Sequence, residues 1–98
     1  MNEGFKKYQS KPVTIKAMQF LGKESMTEII RMTTGVREEK TVDDQGHIIP
    51  CLIVETIEGE MQAGLGWWII IGTEGEVYPC KDSVFQTKYE EATAEIPQ

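Results

Sequence analysis

The sequence predicts a small α+β domain: a mostly antiparallel β-sheet, one helix in the N-terminal half and a short helix near the C-terminus. Three observations lead there. The chain has 98 residues, which allows one modest core and one domain, 1–98, with a radius of gyration of about 13 Å. One stretch, Ser25 to Gly35, carries an apolar side between a helix start signal and a stop signal. From Val36 onward the pattern is β, with β-branched runs separated by glycines and polar turns.

Each element follows from local chemistry. In Pro12–Phe20, Val13, Ile15 and Ala17 alternate with Thr14 and Lys16, the period of a half-buried strand, and Pro12 fits its first position, where a donor is dispensable. Gly22 ends that strand. Ser25-Met26-Thr27-Glu28 has the form of a capping box, opening a helix of about two turns with Met26, Ile29, Ile30 and Met32 on its apolar side and Gly35 at its end. Lys40-Thr41-Val42 leads into the turn cluster Asp43-Asp44-Gln45-Gly46, and His47-Ile48-Ile49 returns until Pro50 interrupts or bends it. Leu52–Ile57 is the strongest strand by β-branched content. Glu58-Gly59 separates it from Glu60–Ala63 as a two-residue hairpin loop, and Gly64-Leu65-Gly66 is a second loop. Trp67–Ile71 is a strand apolar on both faces. Thr73–Glu76 turns it into a partner strand, Val77-Tyr78, closed by Pro79. Ser83-x-x-Gln86 is a second capping box, opening a short helix through Val84, Phe85 and Tyr89. Residues 1–9 and 93–98 are polar, lack periodic apolar positions and read as loose ends.

Composition narrows the function classes. Apolar residues make up 40% and charged residues 27%, which excludes wholesale disorder. Ten Lys+Arg against sixteen Asp+Glu give a net charge of −6, which argues against duplex DNA and anionic membranes as partners. The longest apolar run, Trp67–Ile71, is far too short to cross a bilayer, and Met1–Lys7 is polar, unlike a signal peptide. Two cysteines, Cys51 and Cys80, are thin support for secretion, so a cytoplasmic protein with free thiols is expected.

Catalytic candidates are few. His47, the single histidine, flanks a turn with no serine or cysteine at an informative spacing. His47, Cys51 and Cys80 are three soft ligands without the paired spacing of a zinc site. Gly64, Gly66, Gly72 and Gly75 belong to no phosphate-binding loop, and Glu38-Glu39, Asp43-Asp44 and Glu90-Glu91 read as solvated acidic pairs. A non-enzymatic protein without cofactor or metal is expected. The tandem Trp67-Trp68 is more informative, because neighbours in a strand point to opposite faces. Either one indole enters the core while the other meets a partner, or the sheet is covered on both sides and both are buried. Residue pattern alone leaves both open.

Lys11-Pro12-Val13, Ala17-x-Gln19-Phe20 and Thr56-Ile57-Glu58-Gly59-x-Met61-x-Ala63 precede a longer pattern. That pattern is Gly66-x-Trp68-Ile69-Ile70-x-Gly72-x-x-Gly75-Glu76-x-Tyr78-Pro79-Cys80-Lys81-x-x-x-Phe85-x-x-x-Tyr89-Glu90. Together they resemble a family of small phage and prophage proteins, closely over Thr56–Glu90 and loosely over Gly22–Cys51. In that family the strand is entered through Pro-Gly-Asp, and the C-terminal half reads Lys-Gly-x-x-Gly-Glu-x-Tyr-Pro-Cys-Lys-Pro. The resemblance implies source and fold rather than an activity. Leu65, Trp67 and Ile71 stand where the family has Pro, Asp and Lys, and Asp82-Ser83 where it has Pro-Asp. Two charges are thus replaced by apolar groups on the Trp67/Ile69/Ile71 face. This favours Trp67 outward, as part of an exposed apolar stripe, and Trp68 in the core.

The expectation is a phage-encoded binding protein that counteracts a host or defence function in the host cytoplasm. As a homo-oligomer it could sequester a small nucleotide, with Trp67 stacking the base and Arg31, Arg37 or Lys81 meeting phosphates. It could instead bind a host protein, for example one with a basic nucleic-acid channel. The alternative is a phage structural or assembly protein using Trp67, Ile69 and Ile71 as a subunit contact.

Overall fold

The computed structural model describes residues 4–9 and 12–91. Eight elements follow in order: β1 (Lys16–Gln19), α1 (Lys23–Met32), β2 (Val36–Val42), β3 (Ile48–Thr56), β4 (Gly59–Ala63), β5 (Trp68–Ile71), β6 (Val77–Cys80) and α2 (Asp82–Lys88). The α+β class is as expected. The strands divide between two antiparallel three-stranded sheets, ordered β1-β5-β6 and β2-β3-β4. Residues 4–9 are exposed and form neither helix nor strand, while the expected loose end at 93–98 lies outside the described residues.

Three of the four strand pairings are hairpins between chain neighbours. Val36↔Val54 through Val42↔Ile48 joins β2 to β3, Leu52↔Ala63 through Thr56↔Gly59 joins β3 to β4, and Trp68↔Cys80 through Ile71↔Val77 joins β5 to β6. The β3–β4 turn is Ile57-Glu58, one residue earlier than expected. Gly59 already pairs with Thr56 and holds the left-handed φ of 108° that the turn needs. The fourth pairing is long-range: β1 meets β5 with Met18 opposite Ile69. Neither proline ends its strand. Pro50 lies in β3 beyond the last residue paired to β4, and Pro79 lies in β6 at the edge of its sheet, so each missing N–H faces a side without a partner strand.

The core is Phe20, Met26, Ile29, Val36, Leu52, Val54, Ala63 and Ile69, with Met18, Ile30, Trp67 and Val77 packed against it. It fills the space between α1 and the inner faces of both sheets. In β1 the alternation has the opposite phase to the expected one: Met18 and Phe20 turn to the core, and Val13 is 63% exposed. The face that carries Thr14 and Lys16 also carries Met18 and Phe20, so the period of this segment is legible while its facing is not.

The helix caps also differ. Helix α1 starts after Gly22, and Ser25 is its third residue; the Ser25 hydroxyl accepts from the backbone N–H of Leu21 (2.8 Å) and of Gly22 (3.1 Å). Ser25 therefore secures the entry to the helix from inside, and Glu28 pairs with Arg31 one turn on. Ser83 likewise lies inside α2, whose N-cap is Lys81, and Gln86 bonds the Asp82 carboxylate (3.1 Å) instead of reaching back to Ser83. Cys51 and Cys80 are both free thiols, and burial pushes the Cys51 thiol up from its ordinary value.

Candidate functional site

The loop between the two sheets sets the facing of the two tryptophans. Gly66, at φ 92°, donates to the Phe20 carbonyl (2.7 Å), and the Phe20 N–H donates to the Trp67 carbonyl (2.8 Å). With the chain held there, alternation sends Trp67 and Ile69 one way and Trp68 and Ile70 the other. Ile69, 2% exposed, lies in the main core, and Trp67 is half-buried against the same core. The expected exposed stripe of Trp67, Ile69 and Ile71 is therefore corrected: it faces α1 and the second sheet, and Ile71 is half-buried at its end. Trp68, expected in the core, lies on the opposite face, beneath α2. The reason is that this sheet is covered on both sides, a possibility the residue pattern had left open.

The other expected site residues do not converge. The Lys81 ammonium lies 5.9 Å from the Trp67 ring centroid, so these two do meet. Arg31 is paired with Glu28 on α1. Arg37, on the outer face of β2, is held by Glu60 (3.1 Å) and Glu39 (3.5 Å). Neither arginine joins the Trp67–Lys81 pair. His47 contacts Asp43 (3.4 Å) at an exposed turn. Among the described residues no three His, Cys, Asp or Glu side chains are placed to hold a metal ion.

A different constellation forms on the α2 side. Phe85 stacks on Trp68 with ring centroids 3.9 Å apart and planes 5° from parallel, and Tyr89 follows 5.0 Å from Phe85. Asp82 locks this arrangement. Its carboxylate accepts from the Trp68 indole N–H (2.8 Å), from Gln86 (3.1 Å) and from Gln19 on β1 (3.4 Å). The indole bond, then the Gln86 bond, hold the Asp82 carboxyl below its ordinary value. Tyr78 lies on the same side of the sheet; burial first, and the neighbouring Tyr89 phenol second, push it up to about 12, so it stays neutral at physiological pH.

These residues leave an open groove of about 510 Å³ between β1 and α2. Val13, Thr14, Ile15 and Ala17 line one side, Trp68 contributes from β5, and Phe85, Gln86 and Tyr89 line the other. Glu90 and Glu91 are its only charged lining residues among the described residues. Such a site offers apolar and aromatic contact with negative charge on one rim, which suits a ligand that is apolar in part and cationic in part. The sequence did carry a signal for it: Phe85 and Tyr89 are four residues apart on a helix, hence on one face.

The lock is acid-sensitive. The folded-state pKa of Asp82 is lowered, so its stabilising contribution is complete above the ordinary value of 3.8 and fades as pH falls through the lower folded value. Trp68 fluorescence, read in a Trp67→Phe background and followed from neutral to acid pH, should show α2 loosening in that range. Asp82→Asn should remove this transition, and an unchanged acid profile in that variant would assign the loosening to other carboxylates.

No family model, curated protein or solved structure matches the chain.

Proposed function

We propose that this chain is a non-enzymatic, phage-type binding protein that engages a host protein in the host cytoplasm through the groove between β1 and α2, and so counteracts a host or defence function. The groove carries this reading: it is preformed, partly aromatic and partly apolar, and bounded by a stack whose geometry Asp82 holds. The phage attribution rests on the residue pattern of Thr56–Glu90. Among the described residues no helix is long and apolar enough to cross a membrane.

A protein partner is favoured over a nucleotide. Phosphates would meet Glu90 and Glu91 in the groove, and at Trp67 only Lys81 is at hand, since Arg31 and Arg37 are engaged by carboxylates. Native mass spectrometry of the protein recovered from host cells should show a complex with a host protein. Glu90→Lys combined with Glu91→Lys should lose that partner while keeping the far-UV circular dichroism of the parent. A co-purified nucleotide in place of a protein would overturn the reading.

One observation favours self-assembly as a second reading. Ile57 is 99% exposed at the β3–β4 turn and, with Met61, Val77 and Pro79, lines an apolar trough of about 330 Å³. A homo-oligomer or structural role would use this trough in place of the Trp67 face, and the mass measured in the same experiment reports it.

A further inference from the structure

The groove is also the place where a sheet is incomplete. Among the described residues, strand β1 is the edge of its sheet, hydrogen-bonded only to β5. The stretch before it, Val13–Ile15, exchanges no backbone hydrogen bond among the described residues. An open edge presents a row of unpaired N–H and C=O groups, a template for another extended chain. Val13, Ile15 and Ala17 turn their side chains to the groove, the face on which α2 stands. A strand laid along β1 would place every second side chain over that same face. The charges select what those side chains can be. Glu90 and Glu91 line the groove, no lysine, arginine or histidine among the described residues lines it, and Lys88 sits over the Tyr89 ring (5.8 Å) without lining it.

We propose that the groove takes an extended, lysine- or arginine-bearing segment of the partner protein, added as a fourth strand on the open edge of β1. Backbone pairing gives the segment its register. Its inward apolar positions rest on Ile15 and Trp68, and its cations meet Glu90 and Glu91. This deepens the host-protein reading and rests on it: strand addition supplies sequence-tolerant affinity, and the acidic rim supplies the choice of partner. An anionic ligand or an acidic peptide would be repelled from the same rim.

The test uses the full chain, isotope-labelled for amide NMR, and short blocked peptides as probes. A peptide with valine, valine and lysine at successive alternate positions, and threonine between them, should shift the amides of Val13–Gln19, the Trp68 indole N–H and the amides of Tyr89–Glu91, and slow hydrogen exchange along β1. Glu90→Lys with Glu91→Lys should weaken this binding by about tenfold or more, as expected for two contacting charges. The same peptide with glutamate in place of lysine should leave the spectrum unchanged. The lysine peptide N-methylated at every residue keeps the charge and removes every donor; equal binding by it would overturn strand addition. Shifts spread over the acidic strands β2–β4 and unaffected by the double variant would overturn the site. The same shifts on concentrating the protein alone would give the edge to a second copy. Loss of peptide binding alongside an intact host-protein complex would reject the cationic strand while leaving the host-protein reading in place.

Discussion

Ile69→Asp should unfold the domain. Ile69 is 2% exposed and packs with Phe20, Met26, Ile29, Leu52 and Val54 where α1 and the two sheets meet. An aspartate there removes a branched aliphatic side chain and leaves a carboxylate without a partner in an apolar interior. The expected cost is above about 4 kcal/mol, against a total stability of about 5–15 kcal/mol for a domain of this size. Urea denaturation followed by circular dichroism measures it. Trp67→Asp, two positions earlier on the same face, should cost less, about 1–3 kcal/mol. Trp67 is half-buried, and the new carboxylate would face the Lys81 ammonium that now lies over the indole. Tolerance of Ile69→Asp would mean that the Trp67/Ile69 face is solvent-exposed after all.

Phe85→Ala should cost about 2–3 kcal/mol and open the groove. A fully buried phenylalanine truncated to alanine costs about 3–5 kcal/mol; Phe85 is half-buried, and its parallel stack on Trp68 adds part of an aromatic pair energy of about 0.5–1.5 kcal/mol. No residue of α2 is fully buried, so the stack and the Asp82 carboxylate are its main attachments to the sheet. Losing the ring should release the helix while Ile69 and the core beneath the other face stay packed. Urea melts monitored by Trp68 fluorescence in a Trp67→Phe background should therefore show an early, partial transition before the cooperative one. A cost below about 1 kcal/mol with a single transition would make α2 incidental to the fold, and the groove with it.

The same two positions separate what could be read from residues and what could not. The hairpins β2–β3, β3–β4 and β5–β6 were legible because each is a local event: a polar or glycine-bearing turn between two strand-forming runs brings neighbours together. Helix α1 was legible from Met26, Ile29 and Gly35, although its start was placed too late because Ser25 can serve an N-terminus either as its cap or from its third residue. Phe85 and Tyr89 were legible as neighbours on one helical face, but not as partners of Trp68, which lies a turn and a strand away in the chain.

What the amino-acid sequence determined by itself is the relative facing of Trp67 and Trp68: strand geometry puts adjacent side chains on opposite sides whatever surrounds them. Which side is the interior was decided only when β1 paired with β5 and the β2–β4 sheet closed over Ile69, leaving α2 to cover Trp68. A period of two carries no sign, and Trp67–Ile71, apolar on both faces, offers no polar residue to mark the solvent side. Burial is a property of what packs against a face, and here the packing comes from residues such as Phe20, Met26 and Leu52, distant in the chain and brought together only by the fold.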